Sequence, residues 1–465
     1  MTTVYLIGIC GTGMATLAAL LKASGVEVRG SDAQAYPPMD SFLAEQGITP
    51  ALGYDAAHIT DDVDLVVIGN AVSRGNPEVE AVLAHKIRYC SLPEMVRDRF
   101  LWGDRSLVVA GTHGKTTTTS MVAWTLVEAG VDPSFLIGGV PRNFEASFRR
   151  GAGGVFVIEG DEYDSAFFDK TAKFLKYLPE VVIVGSVEYD HADLYADLAQ
   201  LQQAFERLLQ LMPASGRLIL GIDDLGARRL RDRACCAVDT FGLSDDADWR
   251  AVNVRYELDV TVFDVCHGGA TVAQVALPML GTFNVRNALA ACAAASTVGV
   301  TPEFTARALA RFKGVRRRLE VCGVEQGVTV YDDFAHHPTA VRETLVAIRA
   351  AAPAGRVWAV FEPRSATACR RVFQTAFASA LALADSVIVG TVYRSTIPFE
   401  ERLSEARLVD DLAAAGVAAC HLGSAEEIAA RLAREANPGD VVVVMSNGDF
   451  GGVQERILHS LRSAH

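Results

Sequence analysis

The run Gly111-Thr112-His113-Gly114-Lys115-Thr116-Thr117 lies between an apolar stretch, Ser106–Ala110, and a helical pattern over Thr116–Ala129. A strand that breaks into a glycine turn and re-enters a helix leaves few structural options. The backbone curls so that successive N–H groups point inward, and the helix adds the positive end of its dipole. Such a turn cradles phosphate oxygens. Lys115 supplies a charge suited to the β/γ-phosphates, and the Thr116 hydroxyl is a ligand type for Mg²⁺. The loop is shorter than G-x-x-x-x-G-K-[ST], because Val109 stands five places before Gly114. The bland alternative, a glycine turn beside a solvated lysine, leaves the flanking strand and helix unexplained.

The same kind of unit recurs along the chain. Val4–Ile9 precedes Cys10-Gly11-Thr12-Gly13 and a helix over about Met14–Ser24, followed by strands at Val26–Gly30 and Leu65–Gly69. After the phosphate turn, strands are expected at Val155–Ile158 and Val181–Val184, and a helix over Thr282–Val298. Later, Val328–Tyr331 precedes Asp332–Pro338, Arg356–Phe361 precedes Glu362-Pro363-Arg364-Ser365, and Val441–Met445 precedes Ser446–Gly452. Polar loops directly after buried strands mark the carboxyl edge of parallel sheets, where open α/β folds bind ligands. The 465 residues suit three domains, expected at 1–104, 105–318 and 319–465.

A net charge of −13 argues against a general nucleic-acid binder, which needs a basic face. Nine scattered cysteines with no C-x-x-C argue against a disulfide framework or zinc site and fit a reducing cytoplasm. The first residues do not read as a signal peptide, and no apolar run reaches the roughly 18 residues of a membrane span.

A nucleoside triphosphate site needs a carboxylate at a neighbouring strand end to hold Mg²⁺. Glu159, directly after Val155–Ile158, fits, at the head of the acidic run Glu159-Gly160-Asp161-Glu162-Tyr163-Asp164. His191, in Glu188-Tyr189-Asp190-His191-Ala192-Asp193, is read either as a structural imidazole or as a ligand to a second Mg²⁺. In the first segment the spacing Gly8-x-x-Gly11-x-Gly13 departs from the dinucleotide fingerprint G-x-G-x-x-G. It supports a diphosphate at a helix N-terminus, with Asp32 at the next strand end placed for a ribose-like contact.

These motifs, in this order, resemble the Mur ligase family over nearly the whole chain. The resemblance rests on Gly8–Gly13, Gly111–Thr116, Glu159, Asp190-His191, Asn284 with Asn287, Arg316–Arg318, and Asp332-Asp333-Phe334-Ala335-His336-His337-Pro338. It implies an α/β fold of three domains: a Rossmann-like N-terminal domain for a UDP-sugar, a central P-loop ATPase domain, and a Rossmann-like C-terminal domain that receives a peptide. It further implies that Gly8, Gly11, Gly13, Met14, Asp32 and Asn70 serve the UDP-sugar. Gly111, Thr112, His113, Gly114, Lys115, Thr116, Thr117, Asn287, Arg316, Asp333 and His336 would serve ATP. Thr116, Glu159 and His191 would hold metal, and Arg364, Ser365, Ser446, Asn447 and Phe450 the peptide. Lys115, Glu159, His191 and Arg364 would carry the chemistry.

Within the family, Tyr36-Pro37-Pro38-Met39, Gly69-Asn70, Arg74-Gly75-Asn76-Pro77, Glu162–Lys170, Glu362-Pro363-Arg364-Ser365 and Ser446–Gly452 look most like the branch that joins a murein tripeptide to UDP-N-acetylmuramate. The branch that joins L-alanine is the runner-up. The implied reaction uses ATP and Mg²⁺, passes through an acyl phosphate and belongs to peptidoglycan recycling. Phe283 stands where the family usually has histidine, Ala366 where it has asparagine, Asp449 where it has glycine, and Gly185-Ser186 where paired asparagines are common. Glu206 occupies the usual place of a carbamylated lysine, so no carbamate is expected. A nicotinamide dehydrogenase would rest on the first loop alone. A nucleotide-regulated binding protein would leave the strand-end loops of the first and third segments without a purpose.

Overall fold

The computed structural model describes residues 2–35, 39–257, 259–394 and 397–463. Tyr36, Pro37 and Pro38 of the segment quoted above lie outside them. The chain divides into two compact units: Met1–Val187 with Ala199–Arg250 and Leu289–Ala308, and Glu188–Leu198 with Ala251–Ala288 and Leu309–His465. Among the described residues no helix is long and apolar enough to cross a membrane.

The first unit opens with β1 (Thr3–Ile7), β2 (Glu27–Asp32), β3 (Ala51–Leu52), β4 (Leu65–Ile68) and β5 (Tyr89–Ser91), in the order β3-β2-β1-β4-β5. All pairs are parallel, and the order reverses beside β1. That reversal opens a crevice at the end of β1, where α1 (Thr12–Ala23) begins. On one face Tyr5, Ile7, Val66, Ile68, Val79 and Val82 form a buried cluster. Glu78 is fully buried beside it. Its carboxylate accepts from Tyr5 Oη at 3.1 Å and Ser31 Oγ at 2.5 Å, and meets His58 Nδ1 at 2.7 Å.

The central sheet of the first unit contains β6 (Arg105–Ala110), β7 (Ser134–Leu136), β8 (Phe148–Arg149), β9 (Val155–Glu159), β12 (Val181–Val184), β13 (Arg217–Gly221) and β14 (Ala237–Gly242). Its order is β14-β13-β12-β6-β9-β7-β8, and a separate hairpin, β10 (Asp164–Ala166) with β11 (Asp169–Ala172), follows β9. α2 (Lys115–Glu128) leaves β6. Its sequence KTTTTS is poor in helix formers, yet Thr116–Ser120 are buried in it. Thr119 Oγ1 bonds back to the Lys115 carbonyl at 2.7 Å and Ser120 Oγ to that of Thr116 at 2.6 Å, which satisfies hydroxyls inside a packed helix.

In the second unit, from Ala251 onward, β15 (Trp249–Glu257) is followed in the sheet by β16 (Val260–His267) and β17 (Ala270–Leu277). The β16–β17 pair is antiparallel and turns at Gly268 (φ 60°) and Gly269 (φ 81°). Two glycines at positive φ are the demand of such a tight hairpin. α3 (Thr282–Ser296) follows.

The last sheet holds β18 (Glu320–Glu325), β19 (Val328–Asp333), β20 (Val357–Phe361), β21 (Ser386–Val389), β22 (Ala418–His421) and β23 (Val441–Met445), in the order β18-β19-β23-β20-β21-β22. Strand β18 is an antiparallel addition; the other pairs are parallel. In β23, Val441, Val443 and Met445 pack into one cluster while Val442 and Val444 pack into another. Burial on both faces explains the unbroken apolar run. α4 (Pro338–Ala351) starts with proline at its first turn, where the missing N–H costs nothing.

Replacement of Glu78 by alanine strips three polar neighbours of one buried partner. We expect Glu78→Ala to lower the stability of the first sheet by about 3 kcal/mol, seen as an earlier urea midpoint for amide protection in β1 and β2.

Candidate active site

In the first unit, β9, β6 and β12 lie side by side, so their carboxyl ends present Glu159, Gly111 and Gly185 along one edge. Gly111 has φ 121°, and a Cβ there would lie 3.0 Å from Gly185 N and Ser186 O. Thr112 N donates to Ser186 O at 2.8 Å and His113 N to Ser186 Oγ at 3.1 Å. Gly114 is left-handed (φ 75°) at the start of α2. Lys115 Nζ donates to Gly111 O at 2.8 Å and to both carboxylate oxygens of Glu162 at 2.9 Å. Glu162 is fully buried. Burial opposes the lysine's charge, but Glu162, then Asp161 and Glu159, more than offset it and hold the ammonium above its usual pKa. Beside it, Thr116 Oγ1 donates to Glu159 Oε1 at 2.9 Å, and Gly138 N to Glu159 Oε2 at 2.7 Å. Thr117 is buried in the first turn of α2.

At the end of β1, Gly8 (φ 82°) and Ile9 donate their N–H groups to Ser31 O. Gly11 precedes α1 with no side-chain cap and no acid in the first turn, so the helix presents bare N–H groups. A Cβ on Gly13 would lie 3.3 Å from Leu92 Cδ1. Asp32 Oδ2 accepts the Cys10 N–H at 2.8 Å and Oδ1 takes Tyr54 Oη at 3.5 Å. Here the carboxylate fastens the loop. Met14 is a buried core side chain. Asn70 is half-buried in the turn after β4.

The second unit holds the other predicted residues. Asp190, 4% exposed, accepts the N–H of His191 at 2.7 Å and Thr367 Oγ1 at 2.5 Å on the same oxygen. Burial raises its pKa, but His191, His336 and His337 and the bond from Thr367 outweigh that, and the carboxyl sits well below the usual range. Asp333 accepts from Leu319 N at 2.7 Å, Ala335 N at 2.8 Å and Thr344 Oγ1 at 3.3 Å. Its burial nevertheless raises the pKa, against the pull of Arg318 and those N–H groups. His336 Nδ1 bonds Phe334 O at 2.9 Å. Asn287 Nδ2 bonds Asn284 Oδ1 at 3.2 Å, while Asn284 Nδ2 bonds Leu280 O at 2.8 Å. Phe283 folds over Gly281, where a Cβ would come within 2.4 Å of its ring. Arg316 is exposed after the buried Val315.

Two loops marked in the sequence are bonded to each other in this unit. The Ser446 hydroxyl donates to Glu362 Oε2, and the Arg364 guanidinium crosses Gly448 so closely that a Cβ there would lie 2.0 Å from its Nε. Arg364 stacks on Tyr393 with its Cζ 4.0 Å from the ring centroid. Among the described residues, Asn447 Oδ1 is buried without a hydrogen-bond partner. Phe450 packs in the apolar core, its ring against Gly390, and the Ser365 hydroxyl accepts Ala368 N at 2.9 Å inside its own turn.

Comparison with known proteins now decides the family. Its models match in chain order: the Mur ligase family catalytic domain over residues 3–99, the Mur ligase middle domain over 109–295, and the glutamate ligase domain over 317–448. A UDP-N-acetylmuramate–L-alanyl-γ-D-glutamyl-meso-2,6-diaminoheptandioate ligase of Escherichia coli is 42% identical over 460 residues, 98% of each chain. The chain belongs to the Mur ligase family. A solved murein peptide ligase of Psychrobacter arcticus is 35% identical with a TM-score of 0.74 over 99% of each chain. A UDP-N-acetylmuramate–L-alanine ligase of Paenarthrobacter aurescens is 38% identical over 98% of this chain and 97% of its own.

Two partners in this Mur ligase are not legible in its sequence. Glu162 stands in the acidic run, but nothing local distinguishes it as the carboxylate that meets Lys115. Arg317, central in Arg316–Arg318, donates to Ser446 O and Gly448 O at 2.7 Å each and to Asp332 Oδ2 at 3.0 Å. Its φ of 61° turns it opposite to its neighbours, a feature absent from the pattern of three arginines.

Glu162 keeps Lys115 charged against its burial. In Glu162→Gln the largest part of that offset is lost, Asp161 and Glu159 remain, and the lysine pKa falls. The basic limb of the kcat/KM profile for ATP, which reports the free enzyme, is expected to move to lower pH. An unmoved limb in a folded variant would show that another group sets it.

Proposed function

We propose that this Mur ligase joins the free amine of L-alanyl-γ-D-glutamyl-meso-diaminopimelate to the lactyl carboxylate of UDP-N-acetylmuramate, using ATP, as a cytoplasmic step of peptidoglycan recycling. The observation that carries the ATP-dependent step is the arrangement at the end of β6: Lys115 beside Gly111, with Thr116 against Glu159. The choice of a tripeptide is supported by the Escherichia coli relative, and by the mutual bonding of the two loops that mark that branch.

Carboxylate oxygen is a poor leaving group. Phosphorylation by ATP makes a mixed anhydride; the amine then attacks its carbonyl carbon, and phosphate departs with the former carboxylate oxygen. Catalysis is positioning and charge neutralisation. Lys115 exchanges loop carbonyls for the β- and γ-phosphates, and the N–H groups of Gly114–Thr117 at the open end of α2 surround them. Thr116 and Glu159 offer adjacent hard oxygen donors and so suit Mg²⁺. His191 is assigned to a second such ion. When bound, Mg²⁺ would neutralise developing phosphate charge.

The turn Gly8–Gly13 with the open end of α1 takes the UDP diphosphate, and Asn70 lies at the neighbouring strand end. Asn287, Arg316 and His336 are assigned to the nucleotide. Asp333 acts on it through the loop it fastens. Arg364 binds a peptide carboxylate with its planar fork. Asn447 Oδ1 accepts a peptide N–H, which satisfies its buried lone pairs. Ser446 supports that loop from below. L-alanine as acceptor remains the competing reading, because a ligase of that name is 38% identical.

Phosphate release with UDP-N-acetylmuramate and ATP distinguishes the acceptors. The tripeptide is expected to exceed L-alanine in kcat/KM by at least about 100-fold, because the smaller amine leaves buried polar groups of the peptide site unpaired. Equal rates, or a preference for L-alanine, would reverse the assignment. Lys115→Ala is expected to lose about 100- to 1,000-fold in kcat, and ATP hydrolysis without coupled product would point to a nucleotide-regulated binder.

A further inference from the structure

Residues Glu188–Leu198 follow β12 in sequence, yet in the fold they belong to the same compact unit as the last sheet. The bonds show how they are held. Thr339 Oγ1 donates to Glu188 Oε2 at 2.6 Å. His337 Nε2 bonds Tyr189 O at 3.2 Å, and its Nδ1 lies 3.3 Å from Thr339 N and 3.5 Å from Glu188 Oε2. The Tyr189 ring stacks on Phe373 with centroids 6.0 Å apart. Thr367 Oγ1 reaches Asp190.

The last bond is the informative one. His191 has φ 54°, a left-handed backbone that costs a residue with a Cβ about 1 kcal/mol or more. Such a conformation persists only when its surroundings over-determine it. The His191 carbonyl accepts Leu194 N at 2.8 Å and Tyr195 N at 3.0 Å, and its N–H is held by the Asp190 carboxylate oxygen. That oxygen is itself aimed by the Thr367 hydroxyl. Thr367 is 2% exposed and lies three residues after Arg364, on the strand-end loop that also contains Glu362. Its side chain contacts the turn that presents His191, whereas Arg364 faces the Ser446–Gly452 loop.

We propose that Thr367 is a positioning residue: through Asp190 it holds the backbone of His191 left-handed, and so ties the presentation of that imidazole to the loop carrying Arg364. The inference rests on the assignment of His191 to the phosphate chemistry. A hydroxyl is required, because only an O–H donor can orient the carboxylate. Valine has the same shape without the donor; serine keeps the donor without the methyl.

The test compares Thr367→Val, Thr367→Ser and the unaltered chain, each checked for an unchanged thermal midpoint of the last sheet. Amide hydrogen exchange is read across residues 188–198, together with kcat and KM for ATP. Loss of a charge-assisted hydrogen bond predicts at least about 10-fold faster exchange at His191 in the valine variant. kcat should fall by about 10-fold with KM for ATP within about twofold, and serine should restore both. Unchanged exchange in Thr367→Val, or serine behaving like valine, overturns the role of Thr367 and leaves the His191 assignment standing. Faster exchange with undiminished turnover overturns the His191 assignment itself, and the proposal with it.

Discussion

A strand buried on both faces has nowhere to place a charged side chain except at its end. In this protein β6, β9, β12, β19, β20 and β23 are such strands, each packed by apolar residues on alternating sides. The polar groups that matter follow immediately: Gly111 to Lys115 after β6, Glu159 at the end of β9, Ser186 after β12, Asp333 at the end of β19, Glu362 after β20 and Ser446 after β23. Parallel pairing then puts neighbouring ends together without any further instruction. Thr112 can meet Ser186, and Ser446 can meet Glu362, because their strands are adjacent in the sheet.

Once collected there, these groups must neutralise one another. Lys115 is too buried to stand alone, and Glu162 supplies the opposing charge. Glu159 is shared between the Thr116 hydroxyl and the Gly138 N–H. Asp32 and Asp333 show a different use of the same chemistry. Asp32 accepts the Cys10 N–H from the neighbouring loop, and Asp333 accepts Ala335 N beside it and Leu319 N from a separate segment, so each carboxylate ties stretches of backbone together. A strand-end acid is therefore either a ligand-facing group or a fastener, and only its hydrogen-bond partners tell which.

The chain order and the spatial order of this Mur ligase differ in one instructive place. The residues after β12 follow the sheet of β6 and β9 in sequence, and their side chains find partners around β19 and β20: Thr339, His337, Phe373 and Thr367. The expected boundaries 1–104, 105–318 and 319–465 describe runs of sequence. The compact units interleave 188–198 and 251–288 with 309–465. Polar loops are free to do this because their backbone groups are not committed to a sheet ladder.

What the amino-acid sequence determined by itself was local and strong. The glycine turn before Lys115, the apolar runs of the parallel strands, Glu159 at a strand end and the open glycine loop before α1 all follow from backbone permissiveness and hydrophobic patterning. Tertiary structure decided everything that depends on a partner distant in the chain. It chose Glu162 among neighbouring acids to meet Lys115, and Arg317 among three arginines to brace Ser446–Gly448. It buried Phe450 in the core and set Thr367 against Asp190, 177 positions away. The physical reason is that a side chain's role is fixed by which groups desolvate and pair with it, and no short stretch of sequence contains both members of such a pair.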